Sequence, residues 1–223
     1  MNEDFSLNPE HLKLIHPFNM ICSGPTQSGK THFVFKLIEN LENITTPPIT
    51  KVIYIYSEWQ EKFNNYKDKV FFTKELKYLS IKPKQPCLII CDDLMTEIGN
   101  NNALLDLFIK GTHHNSISAL LILQNIFEHG KIFKTLRQNC HYYYLTEHLQ
   151  DRNSIEFFAR QMEPKNSQYF LKSYEDAVSK PYGGVFCDLH PHSKIRHITK
   201  YRTGVEKIGG QTLYISKKNS FSH

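Results

Sequence analysis

The run Gly24-Pro25-Thr26-Gln27-Ser28-Gly29-Lys30-Thr31 fits, position for position, the glycine-rich loop that holds the phosphates of a nucleotide. Gly24 and Gly29 let the backbone turn tightly, so that successive N–H groups along residues 24–31 can face phosphate oxygens. Lys30 would reach the β- and γ-phosphates, and the Thr31 hydroxyl would bind Mg²⁺. ATP and Mg²⁺ are therefore the expected cofactors.

A second pattern, Cys87-Leu88-Ile89-Ile90-Cys91-Asp92-Asp93-Leu94, ends an apolar run in two acids. A carboxylate at the end of a buried strand can hold Mg²⁺ opposite Thr31, the role given to Asp92, while Asp93 can polarise an attacking water. Paired acids favour hydrolysis over transfer to an acceptor. Gln124, at the end of another apolar run, falls where ligands bind in open α/β sheets, and could sense the γ-phosphate or position the water. A strand-end amide serving only local backbone groups is the alternative.

Charge that develops on a transferred phosphoryl group usually calls for an arginine. The chain has five: Arg137, Arg152, Arg160, Arg196 and Arg202. Arg137, in Lys134-Thr135-Leu136-Arg137-Gln138-Asn139, is far along the chain from residues 24–31 but on a segment that could reach a neighbouring subunit. A surface arginine without that task is the equal alternative, and Arg152 and Arg160 are the next candidates. His113-His114 and the group Cys187, His190 and His192 lack the paired spacing of zinc ligands, so no metal is assigned to them. Tyr142-Tyr143-Tyr144 reads as the face of a strand rather than as a base-stacking platform.

These residues need a strand to deliver the phosphate loop and a helix to leave it. Residues 18–23 and 31–43 supply both. Short β-rich runs alternate with helical stretches, which predicts an α/β fold with a mostly parallel five-stranded central sheet flanked by helices. The strands fall at 18–23, 51–57, 87–94, 118–124 and 140–146. The continuous apolar runs of the third and fourth imply central strands, whereas the alternating Val52, Tyr54 and Tyr56 imply a more exposed one. Helical spacing follows at 151–162 and 166–179, then a further strand at 182–189.

At 223 residues the chain suits one domain with appendages. A hydrophobic content of 40% excludes general disorder, and no apolar run nears the roughly 18 residues of a membrane span. The N-terminal residues lack the pattern of a signal peptide, so the chain is expected to remain in a reducing compartment with its five cysteines as free thiols. Cys87 and Cys91, on one strand, would stand about 13 Å apart, too far for a disulfide. Residues 190–223 hold seven basic residues against one acid, leaving 20 basic and 21 acidic residues in the first 189. Such a basic end is the footprint of a polyanion partner, or equally a solvated terminus.

Several further motifs accompany these: His16-Pro17-Phe18 before the phosphate loop, Leu107-Phe108-Ile109-Lys110-Gly111-Thr112-His113-His114, Gln124-Asn125-Ile126-Phe127, Ala159-Arg160-Gln161-Met162 with Pro164, and Lys180-Pro181-Tyr182-Gly183. With Asp92-Asp93-Leu94 they resemble the viral genome-packaging ATPases of the FtsK/HerA superfamily, in the versions found in Polinton-like elements, adintoviruses, virophages and large DNA viruses. The likeness spans about residues 16–203, and departs from the pattern at Lys134 and Gln150, where relatives often carry arginine. It implies an additional-strand P-loop NTPase core and a hexameric or pentameric ring. It also implies ATP-driven movement of double-stranded DNA into a preformed capsid, with capsid proteins as partners and no membrane. Its setting would be the host cytoplasm or nucleus at sites of virion assembly, or the virion itself. The matching organisation is an N-terminal extension (1–15), an ATPase domain (16–189) and a basic C-terminal extension with β structure (190–223). A P-loop kinase for a nucleoside or small acceptor, and a nucleotide-binding assembly protein without appreciable turnover, are the competing readings.

Overall fold

Five short runs rich in Ile, Leu, Val and Tyr form the inner strands of one nine-stranded sheet in the computed structural model, which describes residues 8–94, 102–111, 116–128, 130–207 and 210–216. His113, His114, Lys217 and Lys218 lie outside the described residues. The strands are β1 (Leu14–Ile15), β2 (Asn19–Ser23), β3 (Thr45–Thr46), β4 (Lys51–Tyr56), β5 (Val70–Thr73), β6 (Cys87–Asp92), β7 (Ile117–Leu123), β8 (Tyr142–Thr146), β9 (Gly184–Asp188), β10 (Tyr201–Thr203) and β11 (Thr212–Tyr214). The large sheet runs β11-β10-β9-β8-β2-β7-β6-β4-β5, and β1 pairs with β3 apart from it. From β8 to β5 every pairing is parallel, and β9, β10 and β11 continue it antiparallel. The decisive feature is β7, which lies between the strand that leads into the phosphate loop and the strand that ends in the acids.

Period-two alternation sends neighbouring side chains of each inner strand to opposite faces, and both faces are covered. Met20, Cys22, Leu88, Ile90, Leu120 and Ile122 meet one layer, in which Phe33, Val34, Leu37, Ile38 and Leu41 of helix α1 (Lys30–Ile44) recur at helical spacing. Ile21, Ile89, Cys91, Ala119 and Leu121 meet the other. There pack α2 (Asn102–Asp106), α3 (Lys131–Gln138), α4 (Arg152–Met162) and α5 (Ser167–Val178). Asp151 caps α4 by accepting from the Ser154 N–H at 3.0 Å, and also accepts from Asn125 Nδ2 at 3.1 Å, which ties the loop after β7 to the start of α4. Among the described residues no helix is long and apolar enough to cross a membrane.

The structure departs from the sequence expectations in three places. The parallel part of the sheet has six strands rather than five, because β5 pairs beyond β4, while the antiparallel β9, within the strand expected at 182–189, and β10 and β11 bring the total to nine among the described residues. The strand β4 is buried on both faces rather than exposed on one: Phe35, Phe63 and Phe72 pack their rings against Tyr54 at 5.2–5.8 Å. The run expected to reach Leu94 stops at Asp92, since Asp93 takes a left-handed φ of 53° that breaks the ladder.

The C-terminal charge is also partly structural. Arg202, on β10, is fully buried and lies 5.1 Å over the Phe186 ring. Its guanidinium donates to Leu12 O at 2.8 Å, to Gln211 Oε1 at 3.2 Å and to Asp188 Oδ2 at 3.4 Å. One side chain thus joins the N-terminal segment, β9 and the residues before β11. Arg202→Met would leave Asp188 a buried carboxylate without its cation, and is expected to cost about 3–5 kcal/mol of unfolding free energy in urea. Asp188→Asn in the same chain should restore part of that loss, while Lys194→Ala, on an exposed side chain, should stay within about 0.5 kcal/mol.

Candidate active site

The phosphate loop leaves β2 at Ser23 and is pinned at once to the neighbouring strand, with Gly24 N–H donating to Leu123 O at 3.2 Å. Gly24 has no room for a side chain: a Cβ there would stand 1.8 Å from Thr146 Oγ1. That hydroxyl, at the end of β8, lies 2.6 Å from Ser28 Oγ and donates to Ser23 O at 3.3 Å, so Thr146 clamps both sides of the loop. Gly29 has φ +102°, and its Cβ would come within 2.9 Å of Tyr182 Cα. Gly29 also opens α1 without a side-chain cap, which leaves the first N–H groups of the helix for an anion. Lys30 Nζ folds over the loop and donates to Gly24 O at 2.6 Å and Pro25 O at 2.7 Å, and burial lowers its pKa. A cradle without side chains, an uncapped helix start and a cation over them fit the triphosphate of a nucleotide.

The acids arrive from the other side of β7. Asp92 is buried beneath the sheet edge, and its Oδ2 accepts from Tyr54 OH at 2.6 Å. Burial pushes its carboxyl above the ordinary range, against the pull of Tyr54, Lys62 and Lys30. Asp93 is exposed, and its charge is felt by Lys30 together with that of Asp92. The hydroxyl of Thr31 and the carboxylate of Asp92 are oxygen donors of the kind Mg²⁺ takes. Gln124 is exposed immediately after Leu123, the residue that receives the Gly24 bond, so it stands beside the phosphate loop. Lys30, Thr31, Asp92, Asp93 and Gln124 are thereby gathered along one edge of three adjacent strands, β2, β7 and β6.

Arg137 is engaged elsewhere. From the last turn of α3 its guanidinium donates to Ile126 O at 3.2 Å and Glu128 O at 3.3 Å and lies 5.2 Å over Phe127, bracing the loop that follows Gln124. Arg152 and Arg160 are exposed on α4, paired with Glu175 and Glu156. On the β8 side of the phosphate loop an open cleft of about 550 Å³ lies between Pro25–Ser28 and a wall formed by Glu147, Gln150 and the 180–183 turn. Tyr182 in that turn has a left-handed φ of 57° and leaves 62% of its surface exposed, with its ring 5.6 Å from His32.

Sequence reasoning missed Tyr54, Thr146 and Tyr182 as parts of the site. Thr146 carried a usable signal, a polar residue ending a buried strand, the same signal that marks Gln124. Tyr54 carried none, because its bond to Asp92 joins positions 38 apart on different strands. Since the Asp92 carboxyl is raised in the folded chain, its ionised form opposes folding. Stability is therefore lost as pH rises through the raised range, and Asp92→Asn is expected to melt higher than the parent. The gain, about 0.5–2 kcal/mol at neutral pH, should vanish well below about pH 3.9, where both the folded and the unfolded carboxyl are protonated. Thermal melts across that pH range check it, and the same variant should have lost nucleotide hydrolysis.

No protein-family model matches the chain, and no curated protein matches it in sequence. Solved structures do match it in fold. The genome-packaging NTPase B204 of Sulfolobus turreted icosahedral virus 2, solved with AMP, is 13% identical over 82% of this chain and 94% of its own, with a TM-score of 0.52. B204 of Sulfolobus turreted icosahedral virus, a DNA-packaging ATPase, is 12% identical over 78% of this chain and 93% of its own, at 0.54. The cytoplasmic domain of the Type VII secretion ATPase EccC of Thermomonospora curvata is 14% identical over 76% of this chain and 24% of its own, at 0.51. The resemblance read from the motifs and the likeness in fold meet on the same group of proteins, and the chain has the α/β fold of the viral genome-packaging NTPases.

Proposed function

We propose that the protein is an ATP-hydrolysing motor that packages double-stranded DNA into a preformed viral capsid in an infected cell, working as a ring of identical subunits in contact with capsid proteins. The observation that carries this reading is the gathering of Lys30, Thr31, Asp92, Asp93 and Gln124 along the β2-β7-β6 edge, in a fold shared with B204, a genome-packaging NTPase.

In this reading the loop of residues 24–29 and the start of α1 bind the triphosphate through backbone N–H groups, and Lys30 exchanges its two carbonyl partners for phosphate oxygens. Mg²⁺, when bound, neutralises charge on the β- and γ-phosphates, with Thr31 and Asp92 as its protein ligands. Tyr54 keeps the Asp92 carboxylate in place. Asp93 polarises a water whose oxygen attacks the γ-phosphorus as the bond to the β-phosphate oxygen breaks, and Gln124 orients that water. The 550 Å³ cleft beside Pro25–Ser28 receives the nucleoside end, because it opens on the side of β2 opposite the acids.

An arginine completes the charge balance across a subunit boundary, and Arg137 is the sequence candidate, with exposed Arg152 and Arg160 as the alternatives. Among the described residues of the basic C-terminal part, Arg202 is buried and Lys200 is held by Glu163 at 2.9 Å, which leaves Lys207 exposed before β11 and Lys194 and Arg196 exposed on the loop after β9. Because β9 runs antiparallel to β8, that loop lies at the edge of the sheet opposite the phosphate loop, where a DNA backbone can be met without blocking nucleotide entry.

Phosphate release with and without duplex DNA tests the whole reading. The expected result is hydrolysis stimulated by duplex; dependence on a small acceptor would indicate a kinase, and no turnover in either case an assembly protein. Lys30→Ala should abolish hydrolysis and weaken nucleotide binding. Asp93→Asn should retain binding while turnover falls by orders of magnitude, and a variant with parental turnover would remove Asp93 as the base. For the arginine, Arg137→Ala and Lys30→Ala subunits should each be inactive, and mixed rings should regain activity wherever an intact loop meets an intact arginine. Mixed rings without recovery would leave Arg137 as the brace of the Gln124 loop.

A further inference from the structure

The only tryptophan of the chain, Trp59, stands after β4 with 41% of its surface exposed, and Phe71 on β5, the last strand on that side of the sheet, is 48% exposed. Together with Lys51, Lys67 and Lys69 these two rings line an open cleft of about 450 Å³. Asp68 is the one acid lining it. The cleft belongs to a wider basic stretch: residues 51–84 hold eight lysines against four acids, a net +4 that the near-neutral total of the first 189 residues conceals. Neither ring is needed by the nucleotide site.

The surface is built rather than loose. Tyr56, Phe63 and Phe72 meet Trp59 edge to face at 5.5, 5.3 and 5.8 Å, which fixes the indole. Lys67 Nζ lies 5.1 Å over the Trp59 ring and Lys74 Nζ 5.7 Å over Tyr56, so aromatic faces hold ammonium groups at set positions. Lys77 contributes less, because it is paired with Glu75. Ordered cations around exposed flat rings are what an unpaired nucleic-acid strand requires: phosphates meet the lysines, and bases, freed from pairing, stack on the rings. A duplex hides its base faces and would leave the rings unused. An acidic peptide would use the charge but has no flat groups for two aromatic surfaces.

We propose that this β5 edge is a binding site for single-stranded DNA, with Lys51, Lys67 and Lys69 taking backbone phosphates and Trp59 and Phe71 taking bases. The proposal rests on the reading of the protein as one that handles DNA, and it adds a second contact, distinct from the loop that carries Lys194 and Arg196, suited to an unpaired end or a locally opened stretch.

Because Trp59 is the only tryptophan, its fluorescence reports on this surface alone. Titration of the full-length protein with an oligo(dT) of about a dozen nucleotides should quench it saturably. Phe71→Ala should weaken the binding roughly 5- to 100-fold, the size of one base-stacking contact. Replacing Lys51, Lys67 and Lys69 by alanine should flatten the dependence of log affinity on log salt by about 0.7 for each phosphate no longer neutralised. An unchanged far-ultraviolet circular dichroism spectrum and a parental thermal midpoint in each free variant establish that the fold is kept. Oligo(dT) that leaves the fluorescence unchanged, or quenching that survives both sets of substitutions, overturns the proposal. Duplex-stimulated hydrolysis measured on the same protein separates the two readings: stimulation without quenching removes this site and leaves the motor, whereas quenching without stimulation removes the motor and leaves the site.

Discussion

Parallel register across three strands is the constraint on which the site depends. Ser23 of β2 pairs with Leu123 of β7, and Ile122 of β7 pairs with Asp92 of β6, so the three chains end at the same level of one sheet edge. The phosphate loop, Gln124 and Asp93, each just past the end of its strand, therefore lie side by side. A slip of one residue in β6 would turn Asp92 to the opposite face and remove it from Tyr54 and Lys30 together. Both faces of these strands are buried, which makes such a slip expensive, and the apolar layers on either side thereby hold the register, with Tyr54 of one layer bonded directly to Asp92.

The polar groups within this frame are held rather than merely placed. Thr146 is bonded to Ser28 and to Ser23 O, and Tyr54 to Asp92, and each bond joins residues far apart in the sequence. Asp92 is a carboxylate kept where burial disfavours its charge, and Lys30 an ammonium kept under the same disadvantage. Burial disfavours the charged form of both groups, and their mutual attraction offsets only part of that cost.

Charge is distributed on different terms. Arg202 and Lys200 are drawn into the structure by Asp188 and Glu163, so the C-terminal excess of cations presents less to solvent than its count implies. The lysines between residues 51 and 77 remain at the surface, and Lys67, Lys74 and Lys77 rest on aromatic rings. The electrostatic outline of the molecule thus depends on which cations find a buried carboxylate and which do not.

Much of this was legible in the sequence. The phosphate loop is a local motif whose residues lie within eight positions, and the strands at 18–23, 87–94 and 118–124 announce themselves by apolar runs that only a sheet covered on both faces would carry. Lys30, Thr31, Asp92, Asp93 and Gln124 could be named because each comes directly after such a run or the loop it feeds. The tertiary structure alone decided the order of the strands, the burial of β4 and the bond of Tyr54 to Asp92. It alone showed that Arg137 braces its own loop and that Arg202 belongs to the interior. The division has one physical cause: period and spacing record which face a residue takes within its own element, whereas neighbours across a sheet are fixed by packing among elements far apart in the chain, and a tyrosine or an arginine gives no local sign of the partner it will meet.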